Sequence, residues 1–284
     1  MKKKTRIIFI TFILLVLVLF VQLYIDANWI ETSYYDVYSD KIGSAFDGTR
    51  ILQLSDLHSK EFGKDSIRLI NKINEVNPDI ILITGDMVNA SDKDFSTFLN
   101  LAQSIASRYE CYYIVGNHEL DLSNEDYNNI MNSLKSYGIT ILDNEKAELT
   151  RDDEKINLYG MWYNIRFYMG KEMLTSNIIK TIIGEDDTEN FDILLTHNPR
   201  YFEAYNDWGA DLVLSGHVHG GMVRLPFVGP VFAPERTLFP KYSEGEYKDG
   251  NSSMIVSRGL GRGTNGFRLF NRPEVGMIVL HSES

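Results

Sequence analysis

Five short apolar runs, each closed by residues with metal-binding side chains, constrain this chain more than any other feature of it. Asp56 and His58 follow Arg50–Leu54, and Gly85 and Asp86 follow the run centred on Ile80–Thr84. Gly116, Asn117, His118 and Glu119 follow Tyr112–Val115. His197 follows Ile193–Thr196, and Gly216, His217, Val218, His219 and Gly220 follow Leu212–Ser215. The runs are continuously apolar, as strands covered on both faces are, and such strands belong to layered α/β domains. In that architecture ligands bind at the C-terminal ends of the strands, where these polar residues fall.

The stretches between the runs carry helical period. Ser66–Val76 reads as a helix with Ile67, Ile70 and Ile73 on one face and Asp65 as its N-cap. Phe95–Ser107 turns Phe95, Phe98, Leu99, Ala102 and Ile105 inward, and Glu125–Tyr137 is stopped by Gly138. Strands are further expected at Ile139–Leu142, Ile156–Tyr159, Met254–Ser257 and Val275–His281. With 284 residues and 44% hydrophobic content, the chain has enough apolar surface for a packed core. The single cysteine, Cys111, excludes a disulfide within the chain.

The N-terminus stands apart. Ile7 to Ile25 is a run of nineteen uncharged residues with Thr11 and Gln22 as its clear polar interruptions. As a helix it spans about 28 Å, close to the hydrocarbon thickness of a bilayer. A buried soluble helix would carry a polar stripe. A cleaved signal peptide would end in a small-x-small site, whereas this run ends in Gln22-Leu23-Tyr24-Ile25-Asp26. An uncleaved single-pass anchor over 7–25 is therefore expected. Lys2, Lys3, Lys4 and Arg6 precede it, so the positive-inside rule puts residues 1–6 in the cytoplasm and the rest of the chain outside. Residues 26–48, rich in Trp29, Tyr34, Tyr35 and Tyr38, read as a juxtamembrane connector, or alternatively as a first strand packed on the domain.

Those four basic residues are part of a total of 28 against 39 acidic ones, so the remainder carries 24 against 39, a net charge of −15. A body this acidic is not a general nucleic-acid binder, because that affinity rests on Lys and Arg neutralising phosphates. Local phosphate chemistry would need cations from elsewhere.

The residues at the strand ends supply a means. Imidazole, carboxylate and amide oxygen suit Mn, Fe or Zn. On extended chain, D-x-H and H-x-H would place both side chains on one side, and the glycines at 85, 116 and 216 would let the chain turn off each strand. Eight donors are too many for one ion of four to six ligands but suit two ions sharing a carboxylate, spaced about 3.5–4 Å apart for an in-line displacement. His281 fits none of these groups and reads as structural.

Together Asp56-Leu-His58, Gly85-Asp-Met-Val-Asn89, Gly116-Asn-His-Glu119, His197 and Gly216-His-Val-His219 resemble the motifs of the calcineurin-like metallophosphoesterases. The resemblance extends to Gly216–Pro226, to Ser257–Gly261 and to Arg272-Pro273-Glu274, which mark a branch with membrane-associated phosphodiesterases and UDP-2,3-diacylglucosamine pyrophosphatase-like enzymes. It covers about residues 48–281. It implies a four-layer α-β-β-α sandwich over 49–284 and a dinuclear centre. Asp56, His58, Asp86 and His219 would hold the first ion, and Asp86, Asn117, His197 and His217 the second, with Asp86 bridging. His118 would be a non-ligand acid or transition-state stabiliser oriented by a neighbouring carboxylate. Asn89 departs from the usual Asp and is expected to alter bonding around the ligands without loss of metal. Glu119 is a further candidate support.

The implied activity is hydrolysis of a phosphodiester or pyrophosphate bond, with a lipid-linked substrate such as UDP-2,3-diacylglucosamine as the finer expectation. Phosphomonoester hydrolysis, hydrolysis of a non-phosphate bond and a metal-binding scaffold without turnover stay open beside it. Arg258, Arg268 and Arg272 are candidate phosphate contacts. Pro226, Pro230, Pro234 and Pro240 stiffen an apolar segment with Leu225, Phe227, Val228, Val231 and Phe232. That segment either packs into the core or forms a wall facing lipid or an acyl chain. The aromatic run Trp162, Tyr163, Phe167, Tyr168 and Met169 allows the same two readings.

Overall fold

The computed structural model describes residues 3–233, 237–262 and 266–283. Lys2 of the basic tail, Pro234 and Ser284 lie outside the described residues. In chain order the strands are β1 (Glu31–Ser39), β2 (Arg50–Leu54), β3 (Ile80–Ile83), β4 (Glu110–Tyr113), β5 (Thr140–Ile141), β6 (Lys146–Arg151) and β7 (Glu154–Met161). They continue with β8 (Phe191–Thr196), β9 (Leu212–Ser215), β10 (Val223–Leu225), β11 (Gly229–Phe232), β12 (Gly245–Asp249), β13 (Ser252–Val256) and β14 (Glu274–Ser282). The helices are α1 (Lys3–Asn28), α2 (Ile67–Val76), α3 (Ser96–Ala106), α4 (Asn117–Leu120), α5 (Asn124–Ser136), α6 (Ile165–Tyr168), α7 (Ser176–Ile183) and α8 (Phe202–Trp208).

Two six-stranded sheets, ordered β1-β14-β2-β3-β4-β5 and β12-β13-β9-β8-β7-β6, stack face to face. Three apolar clusters define the layers. Ile51, Ile80, Leu82, Leu158, Ile193 and Leu214 fill the space between the sheets. Leu69 and Ile73 of α2, Phe98 of α3 and Ile130 of α5 cover the outer face of the first sheet. Ile179 of α7 and Tyr205 and Trp208 of α8 cover the outer face of the second. The result is the expected α-β-β-α sandwich, with β2, β3 and β4 parallel in one sheet and β7, β8 and β9 parallel in the other.

The structure decides between two pairs of open alternatives and corrects one expectation. The stretch 26–48 is not a free connector, since Glu31–Ser39 pairs in parallel with β14 along its whole length and closes the edge of the first sheet. Asp65 does not cap α2: Asp65 and Ser66 both have left-handed backbone, with φ of 55° and 54°. The chain therefore enters α2 in a different rotation, burying Leu69, Ile73 and Val76 and leaving Ile67 exposed. The segment after β9 does not all pack inward, because Leu225, Phe227 and Val228 at the β10–β11 hairpin and Leu238 and Phe239 beyond it are exposed.

Helix α1 is long and apolar enough to cross a membrane, and its apolar stretch is free of the domain. Its last turn is not. Asp26 is fully buried and accepts backbone N–H bonds from Phe270 (2.6 Å) and Asn271 (3.2 Å).

Candidate metal centre

The site forms at the seam where the C-terminal ends of parallel strands from both sheets meet. The turns after β2, β3 and β4 bring Asp56, His58, Asp86, Asn117 and His118, while those after β8 and β9 bring His197, His217 and His219. The backbone at Asp56, His58, Asp86, His217 and His219 is left-handed, with φ between 48° and 70°. This corrects the expectation of extended D-x-H and H-x-H segments. The chain curls at each ligand because the loop after β2 keeps pairing with the loop after β3: Asp56 N–H donates to the Gly85 carbonyl (3.0 Å) and His58 N–H to the Asp86 carbonyl (3.1 Å). Such conformations cost about 1–3 kcal/mol each for non-glycine residues and persist where surrounding structure enforces them. Gly116 and Gly216 serve a different need, close approach. A Cβ at 116 would lie 2.2 Å from Asp86 Oδ1, and one at 216 would lie 2.2 Å from Asp56 Oδ2.

The donor atoms converge. His197 Nε2 is 3.0 Å from Asp86 Oδ2 and 3.8 Å from Asp56 Oδ1. His219 Nε2 is 3.4 Å from Asp56 Oδ1, and His58 Nε2 is 3.9 Å from Asp86 Oδ2. Three triads lie within metal-binding reach: Asp56, His58 and His219; His58, Asp86 and His118; and Asp86, His197 and His217.

Neighbours set which ring nitrogens face inward. His197 Nδ1–H donates to the Thr84 carbonyl (2.7 Å), and His58 Nδ1–H donates to Asn89 Oδ1 (2.9 Å). Both rings therefore present Nε2 to the centre, an arrangement that fixes ligating histidines. Asn89 thus orients His58, and its amide also donates to the His58 carbonyl (3.1 Å). His118 differs from expectation. Its Nδ1 accepts from Ala90 N–H (3.1 Å) rather than being oriented by a carboxylate, so the proton of the neutral ring sits on Nε2, 4.0 Å from Asp86 Oδ2.

The electrostatics call for a cation. Asp56, Asp86 and Glu119 are all buried. Burial pushes the His197 pKa down, but the Asp86 and Asp56 carboxylates outweigh it and lift the ring to about 10. Burial raises the Asp86 pKa, and His197, His58 and His118 more than reverse this, holding it well below the usual carboxylate range. Burial pushes His58 down, against the pull of Asp86 and Asp56, and pushes His219 far down. The Nε2 atoms of these two rings stand 3.1 Å apart, so a proton or a cation must separate their lone pairs. Asn117 Oδ1 is buried without a hydrogen-bond partner. An orphaned amide oxygen, imidazole nitrogens and two carboxylates are a donor set that fits divalent metal.

Glu119 lies behind the centre. It accepts from the N–H groups of Asp86 (2.9 Å), Met87 (2.7 Å), Val88 (3.3 Å) and Gly116 (2.8 Å), tying two ligand loops together.

The three candidate arginines are not brought to the site. Arg258 is bound to Glu274 (2.6 Å) and Glu31 (2.9 Å), and Arg272 to Glu31 (2.8 Å). Arg268 is buried and donates to the carbonyls of Gly261, Arg258 and Gly259. Together they fix the 257–261 turn beneath Asp56, where a Cβ on Gly259 would lie 2.6 Å from Asp56 Cβ. Among the described residues, Arg200 is a cation at the mouth, which sequence reasoning missed. It lines a cavity of about 340 Å³ with Asn117, Tyr168, Met169 and His217, and a second of about 350 Å³ with Leu238, Phe239 and Lys241. Its position three residues after His197 was the available signal. Of the aromatic run, Tyr163 and Tyr168 are buried, and Tyr168 packs on His217 with ring centres 5.3 Å apart. His281 is remote and pairs with Asp36 (2.8 Å).

This fold and centre define a metal-dependent phosphoester hydrolase. Residues 49–221 match the family model described as calcineurin-like phosphoesterase, and the chain belongs to that family. It is 30% identical to phosphodiesterase YaeI of Escherichia coli over 90% of each chain. It is 29% identical to the uncharacterized metallophosphoesterase YkuE of Bacillus subtilis, over 91% of this chain and 88% of that one. To UDP-2,3-diacylglucosamine pyrophosphatase LpxG of Chlamydia muridarum it is 25% identical over 89% of each chain. The family is dinuclear-metal dependent, and the clustered Asp and His residues are a matching candidate site.

Proposed function

We propose that this protein hydrolyses a phosphodiester or pyrophosphate bond of a lipid-linked substrate, held at the membrane by α1. The observation that carries the hydrolytic part is the convergence of eight side chains from five strand ends on the buried carboxylates Asp56 and Asp86. Asp56, His58, Asp86 and His219 would hold one divalent ion and Asp86, Asn117, His197 and His217 the other. Mn, Fe and Zn all suit these donors. Bound there, the ions supply positive charge for the phosphate and lower the pKa of water.

The chain's own groups do the rest. Asn89 and the Thr84 carbonyl keep His58 and His197 in the ligating tautomer. His118, with Nδ1 engaged by Ala90, aims Nε2–H into the site, where it donates to a phosphoryl or leaving oxygen. Arg200 at the mouth receives phosphate charge, and the cavity beyond it, lined by Leu238, Phe239 and Pro240, suits an apolar substituent.

The basic residues before the span support a cytoplasmic N-terminus and an extracytoplasmic domain. The activity for which LpxG is named supports a nucleotide-lipid as the substrate class, and that for which YaeI is named supports diester chemistry. The test is a panel of soluble and vesicle-embedded phosphoesters turned over by the full chain. Faster hydrolysis of the lipid-linked diester or pyrophosphate is expected. Equal rates on a soluble diester would remove the lipid-linked reading, and selective turnover of monoesters would remove the diester reading.

A further inference from the structure

Among the described residues, a group of exposed apolar side chains lies on loops joined through backbone contacts to the end of α1. Asp26, in the last turn of α1, is fastened to the backbone of Phe270 and Asn271. Lys60 Nζ reinforces the junction by donating to the Ala27 carbonyl (2.5 Å) and the Leu260 carbonyl (3.2 Å). One residue before Phe270, Leu269 is bridged to Val223 at the root of the β10–β11 hairpin: Arg224 N–H donates to Leu269 O and Leu269 N–H to Met222 O. The hairpin is joined in turn to the segment beyond it, since Phe239 N–H donates to Val231 O and Ala233 N–H to Thr237 O. Thr237 lines both cavities at Arg200. An unbroken strip of backbone contacts therefore runs from the anchor, through the hairpin, to the mouth of the centre.

Side chains along the strip point outward. Phe227 at the hairpin tip is fully exposed, and Val228, Leu238, Phe239 and Phe270 are exposed beside it. Phe227, Phe239 and Phe270 have left-handed backbone, with φ of 67°, 50° and 54°. Bulky residues rarely adopt it, so the fold holds these rings outward against local preference. An apolar patch of this kind is uncommon on a surface that faces only water. Near the end of α1, Tyr24, Trp29, Arg68 and Lys72 line a cavity of about 390 Å³, aromatic and basic in the way chains are at headgroup level.

We propose that the β10–β11 hairpin is a second membrane contact, with Phe227 and Val228 among the acyl chains of the bilayer that α1 crosses. The domain is then seated on the lipid with its cavity mouth at the surface, and a lipid-linked phosphate reaches Arg200 along the hairpin while its acyl chains stay in the bilayer. The occupant is the bilayer because the strip is continuous with the anchor. This rests on α1 being a membrane span, and the test separates the two.

A single environment-sensitive fluorophore is placed on the full chain in phosphatidylcholine vesicles, in a Cys111→Ser background. The positions are Phe227→Cys, Leu15→Cys inside α1, and Glu185→Cys in the loop before β8, at the opposite end of the sheet. Expected is blue-shifted emission, quenched by doxyl-labelled lipid, at 15 and 227 and aqueous emission at 185. Quenching at 15 with aqueous emission at 227 overturns the hairpin contact and leaves the anchor standing. Blue-shifted emission at 227 that doxyl lipid does not quench also overturns it, assigning the patch to a second copy or another protein. No quenching at 15 removes the anchor reading and the hairpin contact with it.

Discussion

Glu119 accepts four backbone N–H bonds and so makes one unit of the loop that carries Asp86 and the loop that carries Asn117. Its carboxylate touches none of the donor atoms directed at the centre, yet it sets where two of them stand. Glu119→Gln would turn an amide NH2 toward N–H donors and leave at least one of them unsatisfied, a cost of about 1–3 kcal/mol. Divalent-metal affinity is expected to fall roughly 10–100-fold, as it does when partners behind ligands are changed. Metal titration followed by equilibrium dialysis reads this, and wild-type affinity would show that the loops hold without Glu119. At this scale the candidate donors that cluster, from Asp56 to His219, were legible, because few residue types bind metal and nearly all the histidines were spent in one pattern. What orients His118 was not legible: the partner is the backbone of Ala90, and a backbone N–H leaves no mark in a sequence.

At the scale of elements, strand ends were legible and their geometry was not. A run such as Ile80–Ile83 has no polar face, so it announces a strand covered on both sides. The left-handed turns after it are enforced by hydrogen bonds to neighbouring loops, which depend on the assembled sheet. The same reason left β1 undecided between connector and first strand, since among the described residues its ladder partner is β14, at the other end of the chain. It also misdirected Arg258 and Arg272, whose carboxylate partners include Glu31 on β1 and Glu274 on β14. Close packing between loops gives the test for this scale. Gly216→Ala would place a Cβ 2.0 Å from Ser55 Oγ and 2.2 Å from Asp56 Oδ2, so the turn after β9 must move away from Asp56. Metal binding is expected to drop while far-UV circular dichroism keeps the wild-type spectrum, since the strands themselves are untouched. Unchanged metal affinity would mean that the loop has room the geometry denies.

Across the whole molecule, the acidic body and the phosphate chemistry are reconciled by cations that replace protons. Asp86 and Asp56 hold His197 protonated up to a pKa of about 10. A ligating imidazole must be neutral, so metal competes with that proton: affinity rises with pH below 10, and loading at pH 7 releases protons. Calorimetric titrations in buffers of different ionisation heat should give different apparent enthalpies, and buffer-independent heats would contradict the protonated His197. Because metal binds the folded state, loading should also raise thermal stability, by about 2.7 kcal/mol at a free concentration a hundred times the Kd.

Metal content and turnover measured together on the full chain probe the centre most directly, with bis-p-nitrophenyl phosphate as the diester and Asp86→Ala beside the wild type. Two equivalents of divalent metal per chain are expected, with hydrolysis rising as metal is restored to stripped protein and both lost in the variant. Hydrolysis that persists in metal-stripped protein, or in Asp86→Ala, would contradict a dinuclear centre built on Asp86.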